Sequence, residues 1–395
     1  MQFGYDDPRT HAWLVLDRVR TAAFARAIAA AVRPGDTVVD IGTGSGVLAL
    51  FAAKAGAKKV YAIERTAAAE LAKAHAAENG FSGVIEVVRA EASDALDPEH
   101  PRFIPGLRDV RVILGEILGH VAGDEHVHRL FRAAKRVARP DAVTVPDTYA
   151  MTFALAAVER FFSERTTFTK VNDIYGSVNP IYFSALWSKL AARPEVMLVQ
   201  PAELLGPEVR TEAFALAEPL PRSFGGSFTS DREGRANAIV CGFDSHLYGD
   251  VHLSTAVTSA PTTWQQIVFP LDPPLDVASG EHFSLSVEPR LISDRSTYRW
   301  SARGVRHTSK GDGLGATFGG GKEDWLAQLG LRLKEPRAFG WSSRLDALAA
   351  MVAGGPTGDV ATLAERLLAA HPTRYADKDD ARQEVLRLLR LLEVL

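Results

Sequence analysis

The stretch TVVDIGTGSGVLALFAAKAGAKKVYAIE, residues 37–64, decides the fold. A short apolar run from Thr37 to Ile41 leads through three alternate glycines into a helical apolar pattern from Val47 to Ala55. A second apolar run, from Lys59 to Glu64, follows within a few residues. Buried strands that alternate with helices are typical of a parallel sheet covered on both faces. The stretch therefore predicts the first unit of a doubly wound, Rossmann-like α/β domain.

The same alternation continues on both sides of this unit. Helical spacing precedes it from about Thr10 to Val32, and more helix and strand signals follow it at residues 67–78, 84–88 and 110–114. After Pro146 the pattern changes to period-two alternation punctuated by Gly, Asp and Pro. That pattern predicts the antiparallel strands of a barrel or a sandwich. From Trp341 the apolar spacing is helical again.

Composition excludes several classes of function. Forty-five basic and 48 acidic residues give a formal net charge of −3, so we predict no nucleic-acid partner and no membrane partner. The single cysteine, Cys241, cannot form an internal disulfide, and its setting in AIVCGF predicts a buried thiol on a strand. The chain lacks a signal-peptide pattern and an apolar run of about 18 residues. We therefore expect a cytoplasmic protein.

The glycine-rich turn predicts a nucleotide-like ligand. Asp40, Gly42, Gly44 and Gly46 lie at the junction of the first strand and its helix, where glycines allow the backbone to approach a ligand closely. Glu64 ends the next strand, where a carboxylate can accept hydrogen bonds from both hydroxyls of a ribose. The spacing G-x-G-x-G differs from the G-x-G-x-x-G that suits a pyrophosphate. An adenosine ligand without phosphates fits better, and S-adenosylmethionine is the leading candidate.

A second acidic motif, GEILGHVAGDE at residues 115–125, directly follows the apolar run that ends at Leu114. From these residues alone, the plainer interpretation is structural: Glu116 binds backbone N–H groups, and Glu125 is a solvated acid at a helix start. His126 and His128 follow in EHVHRL. Residues two apart on a helix face different directions, so we interpret both as surface histidines and predict no metal site.

Five segments, in chain order, resemble the protein arginine methyltransferases. They are HAWLVLDRVRT (11–21, the helix over the cofactor), DIGTGSGVLALFAAKAGAKKVYAIE (40–64, the cofactor motif), GEILGHVAGDE (115–125, the double-glutamate loop), VPDTYAMTFALAAVE (145–159, the crossing into the barrel) and TTWQQIVFPLDPPLDVASGE (262–281, after the Thr-His-Trp signature). The resemblance spans roughly residues 10–303. Five ordered motifs are hard to obtain by chance, so the chain is identified as a member of this family.

The resemblance implies an S-adenosylmethionine-dependent N-methyltransferase that acts on an arginine guanidinium of a protein or peptide. Glu116 and Glu125 would clamp the planar guanidinium, which is always charged and presents five donors. Arg20 would pair with the methionine carboxylate of the cofactor. The adenine contacts would fall near Ala92 and Ser93.

The chain also departs from the family pattern. The histidine of the Thr-His-Trp signature is Thr263 here, followed by Trp264, whereas the usual partner of that histidine survives as Asp17. These three residues are predicted to shape the substrate site. The N-terminal aromatic motif survives only as Tyr5, and the tryptophan after the first clamp glutamate is Ile117. The altered pocket keeps open a second hypothesis, a methyltransferase of free L-arginine or another small guanidine in natural-product biosynthesis.

The predicted organisation has four parts. These are lid helices (1–35), an S-adenosylmethionine-binding Rossmann-like domain (36–146), a β-barrel substrate domain (147–338) with an arm at about 170–205, and a C-terminal helical or winged-helix-like module (339–395). The segment around Ile174-Tyr175-Gly176 resembles the family's dimerisation arm, which implies a homodimer. The C-terminal module could bind a leader peptide or add a helical layer. A third hypothesis is a catalytically silent dimeric scaffold.

Overall fold

A computed structural model of the chain describes residues 5, 7–121, 123, 125–159, 193–292, 295–304, 308–314, 360–370, 377–379, 381–382 and 385–386. Two compact units divide the chain. One comprises residues 2–157 and 193–332, and the other comprises residue 1 with residues 158–192 and 333–395. Within the described residues, none of the helices is both long enough and apolar enough to cross a membrane.

The first unit begins with a parallel α/β domain. Its elements are α1 (Pro8–Leu16), α2 (Arg18–Ala31), β1 (Thr37–Ile41), α3 (Val47–Lys54), β2 (Lys59–Glu64), α4 (Ala68–Glu78), β3 (Ile85–Arg89), α5 (Ala92–Ala95), a 3-10 turn (Pro105–Asp109), β4 (Val110–Leu114), α6 (Val127–Val137) and β5 (Val143–Val145). The strands are parallel and lie in the order β3-β2-β1-β4-β5. Every residue of β1 and β4 is buried, as expected for central strands covered on both faces. The predicted doubly wound domain is confirmed.

The lid helices are defined here as α1 and α2. Their separation shows that the prediction of a single helix in this region is wrong. The apolar spacing predicts one helix from about Thr10 to Val32, whereas the helix is interrupted at Asp17, which has φ −67° and ψ 95°. The Asp17 carboxylate accepts a hydrogen bond from the N–H of Arg20 (2.9 Å) and so caps α2. The side chain of Asp17 is buried. Several apolar residues of α2 are buried, whereas Trp13 and Leu16 of α1 are exposed, so apolar spacing overstates how far one buried helix face extends.

An antiparallel domain follows β5. Its strands are β6 (Thr148–Ala156), β7 (Glu195–Met197), β8 (Val209–Arg210), β9 (Phe214–Ala215), β10 (Phe224–Thr229), β11 (Gly234–Tyr248), β12 (Val251–Ser254), β13 (Gln266–Val277), β14 (His282–Ile292), β15 (Arg295–Arg303) and β16 (Thr308–Leu314), with a 3-10 turn at Pro201–Glu203. One sheet has the order β10-β14-β15-β16. The other has the order β7-β13-β11-β6-β8, with β12 paired to β11 and β9 to β6. Cys241 is buried on β11, which confirms the prediction, and burial raises the pKa of its thiol.

Two predicted segments fall largely outside the described residues. Most of the arm does, including Ile174-Tyr175-Gly176, but residues 193–205 of its range are described. Within them β7 pairs with β13, so this end of the range belongs to the antiparallel domain. Of the C-terminal module, helix α7 (Val360–Ala370) buries Leu363 and Leu367, in agreement with the helical apolar spacing predicted after Trp341. The division into domains otherwise stays a prediction.

Candidate functional site

The carboxyl ends of the parallel strands form the candidate site. In the strand order, β1 lies between β2 and β4, so the chain leaves β1 towards one side of the sheet and later returns on the other. Ligands of open α/β sheets bind in the crevice at such a topological switch point. The glycine-rich turn follows β1, and residues 115–125, here called the clamp loop, follow β4. The two predicted motifs therefore lie on either side of one crevice.

The glycine-rich turn packs closely against its surroundings. Gly42 has a φ of +71°, and a Cβ added to it would lie 2.8 Å from Cγ2 of Ile117. Gly44 has a φ of +54°, and a Cβ there would lie 3.0 Å from the ring of His11. Gly46 is the N-cap residue of α3. Because side chains are excluded at the first two positions, the bare backbone of the turn can approach a ligand.

Two predicted cofactor residues place carboxylates beside this turn. Asp40 is fully buried on β1 and accepts a hydrogen bond from the hydroxyl of Thr43 (2.5 Å). Burial raises the pKa of Asp40 to about 6, and the charges of Glu64 and Glu116 add to that rise. Glu64, at the end of β2, accepts the N–H of Gly44 (3.0 Å). Carboxylates close enough to raise the pKa of Asp40 favour a cationic ligand beside it.

Ala92 and Ser93 lie at the start of α5, after β3. The N–H of Ala90 donates to the carbonyl of Glu64 (3.1 Å), which brings this segment beside the end of β2. Both residues are half-buried. They therefore lie at the same sheet edge as the glycine-rich turn, and their contact with adenine stays a prediction.

Glu116 is held by an arginine of the lid helices. Arg20 donates from Nε (3.0 Å) and Nη2 to Oε2 of Glu116, and from Nη1 to the carbonyl of Leu14 (2.9 Å). Its guanidinium carbon lies 6.0 Å from the ring centroid of Phe24 and 5.9 Å from that of Trp264. Burial raises the pKa of Glu116, although the charge of Arg20 opposes the rise. Arg20 thus contacts a clamp glutamate, and its pairing with a cofactor carboxylate stays a prediction.

Glu125 lies at the other end of the clamp loop and faces the same pocket. Its Oε1 accepts the hydroxyl of Tyr5 (3.0 Å), and Nε2 of His11 donates to the carbonyl of Tyr5 (2.8 Å). The pocket is lined by Tyr5, Leu14, Glu116, Leu118, Glu125, Thr263 and Trp264. Both clamp glutamates, nine positions apart in sequence, therefore point into one space together with residues of the lid and of the antiparallel domain.

The tryptophan loop, residues 262–265, is bonded to the lid helices. Thr263 donates its N–H (2.7 Å) and its hydroxyl (3.0 Å) to Oδ2 of Asp17. The predicted pair of Asp17 with the residue in the histidine position is therefore present, with a threonine hydroxyl in place of an imidazole.

The tryptophan loop is also bonded to the clamp loop. Nε1 of Trp264 donates to the carbonyl of Leu118 (2.7 Å), and Nδ1 of His120 donates to the carbonyl of Trp264 (2.9 Å). His120 and His11 are absent from the predicted site residues. The sequence feature that could have identified His120 is its position inside the clamp loop. For His11, that feature is its position in the segment that resembles the helix over the cofactor.

His128 is buried, so the prediction of surface histidines is wrong at this position. Its Nδ1 donates to the carbonyl of Glu218 (2.6 Å), and its Nε2 accepts the hydroxyl of Tyr149 (2.9 Å). His126 is half-buried and precedes α6 with a φ of +64°. Both partners of His128 come from the antiparallel domain, which helix spacing does not reveal. Among the residues that the structure describes, no group of three or more His, Cys, Asp or Glu could hold a metal ion.

The buried His120 should make the protein sensitive to acid. Burial lowers the pKa of His120 from 6.5 to about 4. Between these two pH values the ring is therefore mostly neutral in the folded chain and mostly protonated in the unfolded chain. The stability contributed by the neutral ring is complete above pH 6.5 and declines as the pH falls towards 4. Between pH 7.5 and pH 5 we expect His120 to remove about 2 kcal/mol from the free energy of unfolding.

Urea titrations at both pH values test this expectation. Glutamine can still donate to the Trp264 carbonyl but does not titrate, so His120→Gln should lose about 2 kcal/mol less than the wild type on acidification. The exposed His252, changed to glutamine, serves as the control and should follow the wild type. Equal acid losses in H120Q and the wild type would contradict the assignment.

Comparison with known proteins finds methyltransferases. The family "Ribosomal protein L11 methyltransferase (PrmA)" matches residues 20–142. The chain is 28% identical over 309 residues to "Protein arginine N-methyltransferase PRMT10" of Oryza sativa subsp. japonica, which covers 69% of this chain and 78% of that relative. It is 27% identical over 281 residues to "Arginine N(omega)-methyltransferase" of Streptomyces achromogenes subsp. streptozoticus, covering 70% and 75% of the two chains.

Solved structures agree on the fold. The Trypanosoma brucei PRMT1 enzyme-prozyme heterotetrameric complex with AdoHcy matches with a TM-score of 0.66 and 22% identity, over 79% of this chain and 99% of that one. Arabidopsis thaliana protein arginine methyltransferase 10, in an open conformation, matches with a TM-score of 0.64 and 20% identity, over 78% and 98%. The predicted fold class and the resemblance to protein arginine methyltransferases are confirmed.

Proposed function

We infer that the chain is a member of the protein arginine N-methyltransferases, and we propose that it transfers a methyl group from S-adenosylmethionine to a guanidinium nitrogen of arginine. One observation carries the proposal. Glu116 and Glu125 line a single pocket beside a glycine-rich turn at the switch point of a parallel sheet. Paired carboxylates suit a planar cation with several donors.

The residues at the glycine-rich turn fit S-adenosylmethionine. The turn excludes side chains at Gly42 and Gly44, as close contact with an adenosine requires. Glu64 would hold the ribose, and Ala92 and Ser93 would lie beside the adenine. The acids around the crevice suit the positive sulfonium and ammonium groups of this cofactor. When bound, the cofactor supplies an electrophilic methyl group on its sulfonium sulfur.

The clamp glutamates would align the acceptor nitrogen. A protonated guanidinium is delocalised and offers no free lone pair. Two carboxylates that hold its N–H groups would fix its plane and draw positive charge away from the reacting nitrogen. That nitrogen would accept the methyl group of the cofactor, and the electron pair of the broken carbon–sulfur bond would remain on sulfur. Positioning of this kind can lower a barrier by roughly 7–11 kcal/mol.

The proton released from the nitrogen would pass to a clamp glutamate. Burial raises the pKa of Glu116 and so makes it a better acceptor at neutral pH. Its ion pair with Arg20 opposes that effect, and a cofactor carboxylate paired with Arg20 would weaken the opposition. Arg20 would then link occupation of the cofactor site to the basicity of Glu116.

A protein or peptide is the proposed substrate, and free arginine is the second candidate. The first follows from the motifs shared with protein arginine methyltransferases. The second is favoured by the Streptomyces relative, whose name specifies arginine without a protein, and by Thr263 in place of the signature histidine. We also propose that the antiparallel domain closes into a barrel, that the chain forms a homodimer, and that it acts in the cytoplasm.

One labelling experiment separates these candidates. The protein is incubated with methyl-labelled S-adenosylmethionine, free arginine and a cell extract, and label is then measured in polypeptides and in small molecules. We expect label on arginine in polypeptides. Label on free arginine alone would instead identify free arginine, the second candidate, as the substrate. Cofactor binding without transfer to any guanidine would overturn both and leave a silent scaffold.

A further inference from the structure

We propose that Thr263 is a positioning residue, and that its bonds to Asp17 form a clasp through which closure of the lid helices completes the guanidinium pocket. The proposal rests on the proposed function and adds to it a residue that ties the cofactor side of the site to its substrate side. The hydrogen bonds of the clasp join residues 246 positions apart in the chain.

The lid half of the clasp is the break between α1 and α2. Asp17 accepts the N–H of Arg20 through Oδ1 and both donors of Thr263 through Oδ2. Its N–H donates to the carbonyl of Trp13, so the residue also closes α1. A buried carboxylate that accepts three hydrogen bonds is held firmly in place. The start of α2, and with it Arg20, is therefore positioned by the same side chain that Thr263 holds.

The other half of the clasp is the tryptophan loop. The loop is anchored by Trp264, which donates to Leu118, and by His120, which donates back to the carbonyl of Trp264. Gln265 has a φ of +53°, a conformation that side chains rarely adopt and that persists where the surroundings impose it. Thr263 is thus a fixed point on the antiparallel domain, to which a moving lid could attach.

The pocket requires both halves. Tyr5 and Leu14 reach it from the N-terminal segment and α1, whereas Thr263 and Trp264 reach it from the tryptophan loop. The clamp glutamates line the same pocket. If the lid detaches, Tyr5 leaves Glu125 and Arg20 leaves Glu116, so that the pocket loses a wall and both clamp contacts at once. Detachment also lifts His11 from Gly44 and opens the cofactor turn.

The test removes only the hydroxyl of the clasp. Thr263→Val preserves shape and the N–H bond but deletes the hydroxyl bond to Asp17, and Thr263→Ser retains that bond. For T263V we expect the dissociation rate of S-adenosylhomocysteine and the KM for an arginine substrate to rise together by about tenfold, since one hydrogen bond to a charged group is lost. T263S should recover most of both changes.

The chain contains a matched control for this variant. Thr258, exposed and outside the pocket, donates its N–H (3.1 Å) and hydroxyl (2.8 Å) to one oxygen of Glu208, as Thr263 does to Asp17. Thr258→Val should change neither quantity. Amide hydrogen exchange across α1 provides a readout that is independent of activity, and exchange there should accelerate in T263V alone.

Three outcomes would overturn the clasp. In the first, the KM rises in T263V but S-adenosylhomocysteine is released no faster. In the second, T263S shows the same changes in KM and release as T263V. In the third, amide hydrogen exchange in α1 is the same in T263V as in the wild type. Failure of the proposed function is distinguishable, because a wild-type chain that methylates no arginine would still show accelerated exchange in T263V if the clasp exists.

Discussion

Replacing Glu116 by glutamine should lower the rate of methyl transfer by about a thousandfold, because the variant loses a charge that acts on the guanidinium in the transition state. Affinity for S-adenosylmethionine should change far less than the transfer rate, since Glu116 reaches the proposed cofactor site only through Arg20. The variant should also lose about 2 kcal/mol of stability, because Arg20 is left in a buried site with a neutral partner. Single-turnover transfer, calorimetric cofactor titration and urea unfolding measure these three quantities.

Two further variants show whether a lower transfer rate in E116Q reflects a catalytic or a structural role of Glu116. Glu125→Gln removes the other charge of the clamp but leaves the ion pair of Arg20 intact, so transfer should fall with a smaller loss of stability. Glu208→Gln changes a carboxylate outside the pocket and should transfer at a rate within about twofold of the wild type. If cofactor affinity in E116Q fell as far as the transfer rate, Glu116 would be a structural residue, as the plainer sequence interpretation has it.

Replacing Gly42 by alanine should weaken cofactor binding by about a hundredfold. The added Cβ would lie 2.8 Å from Cγ2 of Ile117, and the φ of +71° is unfavourable for any residue with a side chain. The turn must move to relieve the collision, and Ile117 is adjacent to Glu116, so the clamp loop would move as well. A hundredfold loss corresponds to about 2.7 kcal/mol of binding free energy.

Gly80 provides the control for backbone strain. It has a φ of +76°, and a Cβ added there would meet nothing within 4 Å. Gly80→Ala should lose about 1–2 kcal/mol of stability from backbone strain alone, and G42A should lose more because of its collision with Ile117, while only G42A loses affinity for the cofactor. Binding within tenfold of the wild type in G42A, or an equal loss of binding in G80A, would show that the turn does not form the cofactor site.

Much of the parallel domain could be predicted from the sequence because its signals are local. Runs such as Val110–Leu114 are apolar at nearly every position, and each is buried on both faces of its strand. The glycine-rich turn, Glu64 and the clamp loop each directly follow such a run. Since parallel strands end at a common edge, the order of these motifs along the chain is enough to bring them to one crevice.

Other parts of the site depend on contacts that have no local signature. The apolar spacing of the lid predicts one helix, whereas the carboxylate of Asp17 caps α2 locally and is buried against the donors of Thr263, 246 residues away. The hydroxyl of Tyr5 reaches Glu125 across 120 residues. His128 is buried because the carbonyl of Glu218 and the ring of Tyr149 cover it.

The sequence by itself determined the fold class and placed the glycine-rich turn and the loop that carries Glu116 and Glu125 directly after buried strands, because each of these features is encoded by residues that are neighbours along the chain. The tertiary structure alone decided that Arg20 and Tyr5 hold those glutamates, and that a threonine of the antiparallel domain fastens the lid. The physical reason is that apolar periodicity specifies which face of an element is buried and leaves open which distant element will cover it.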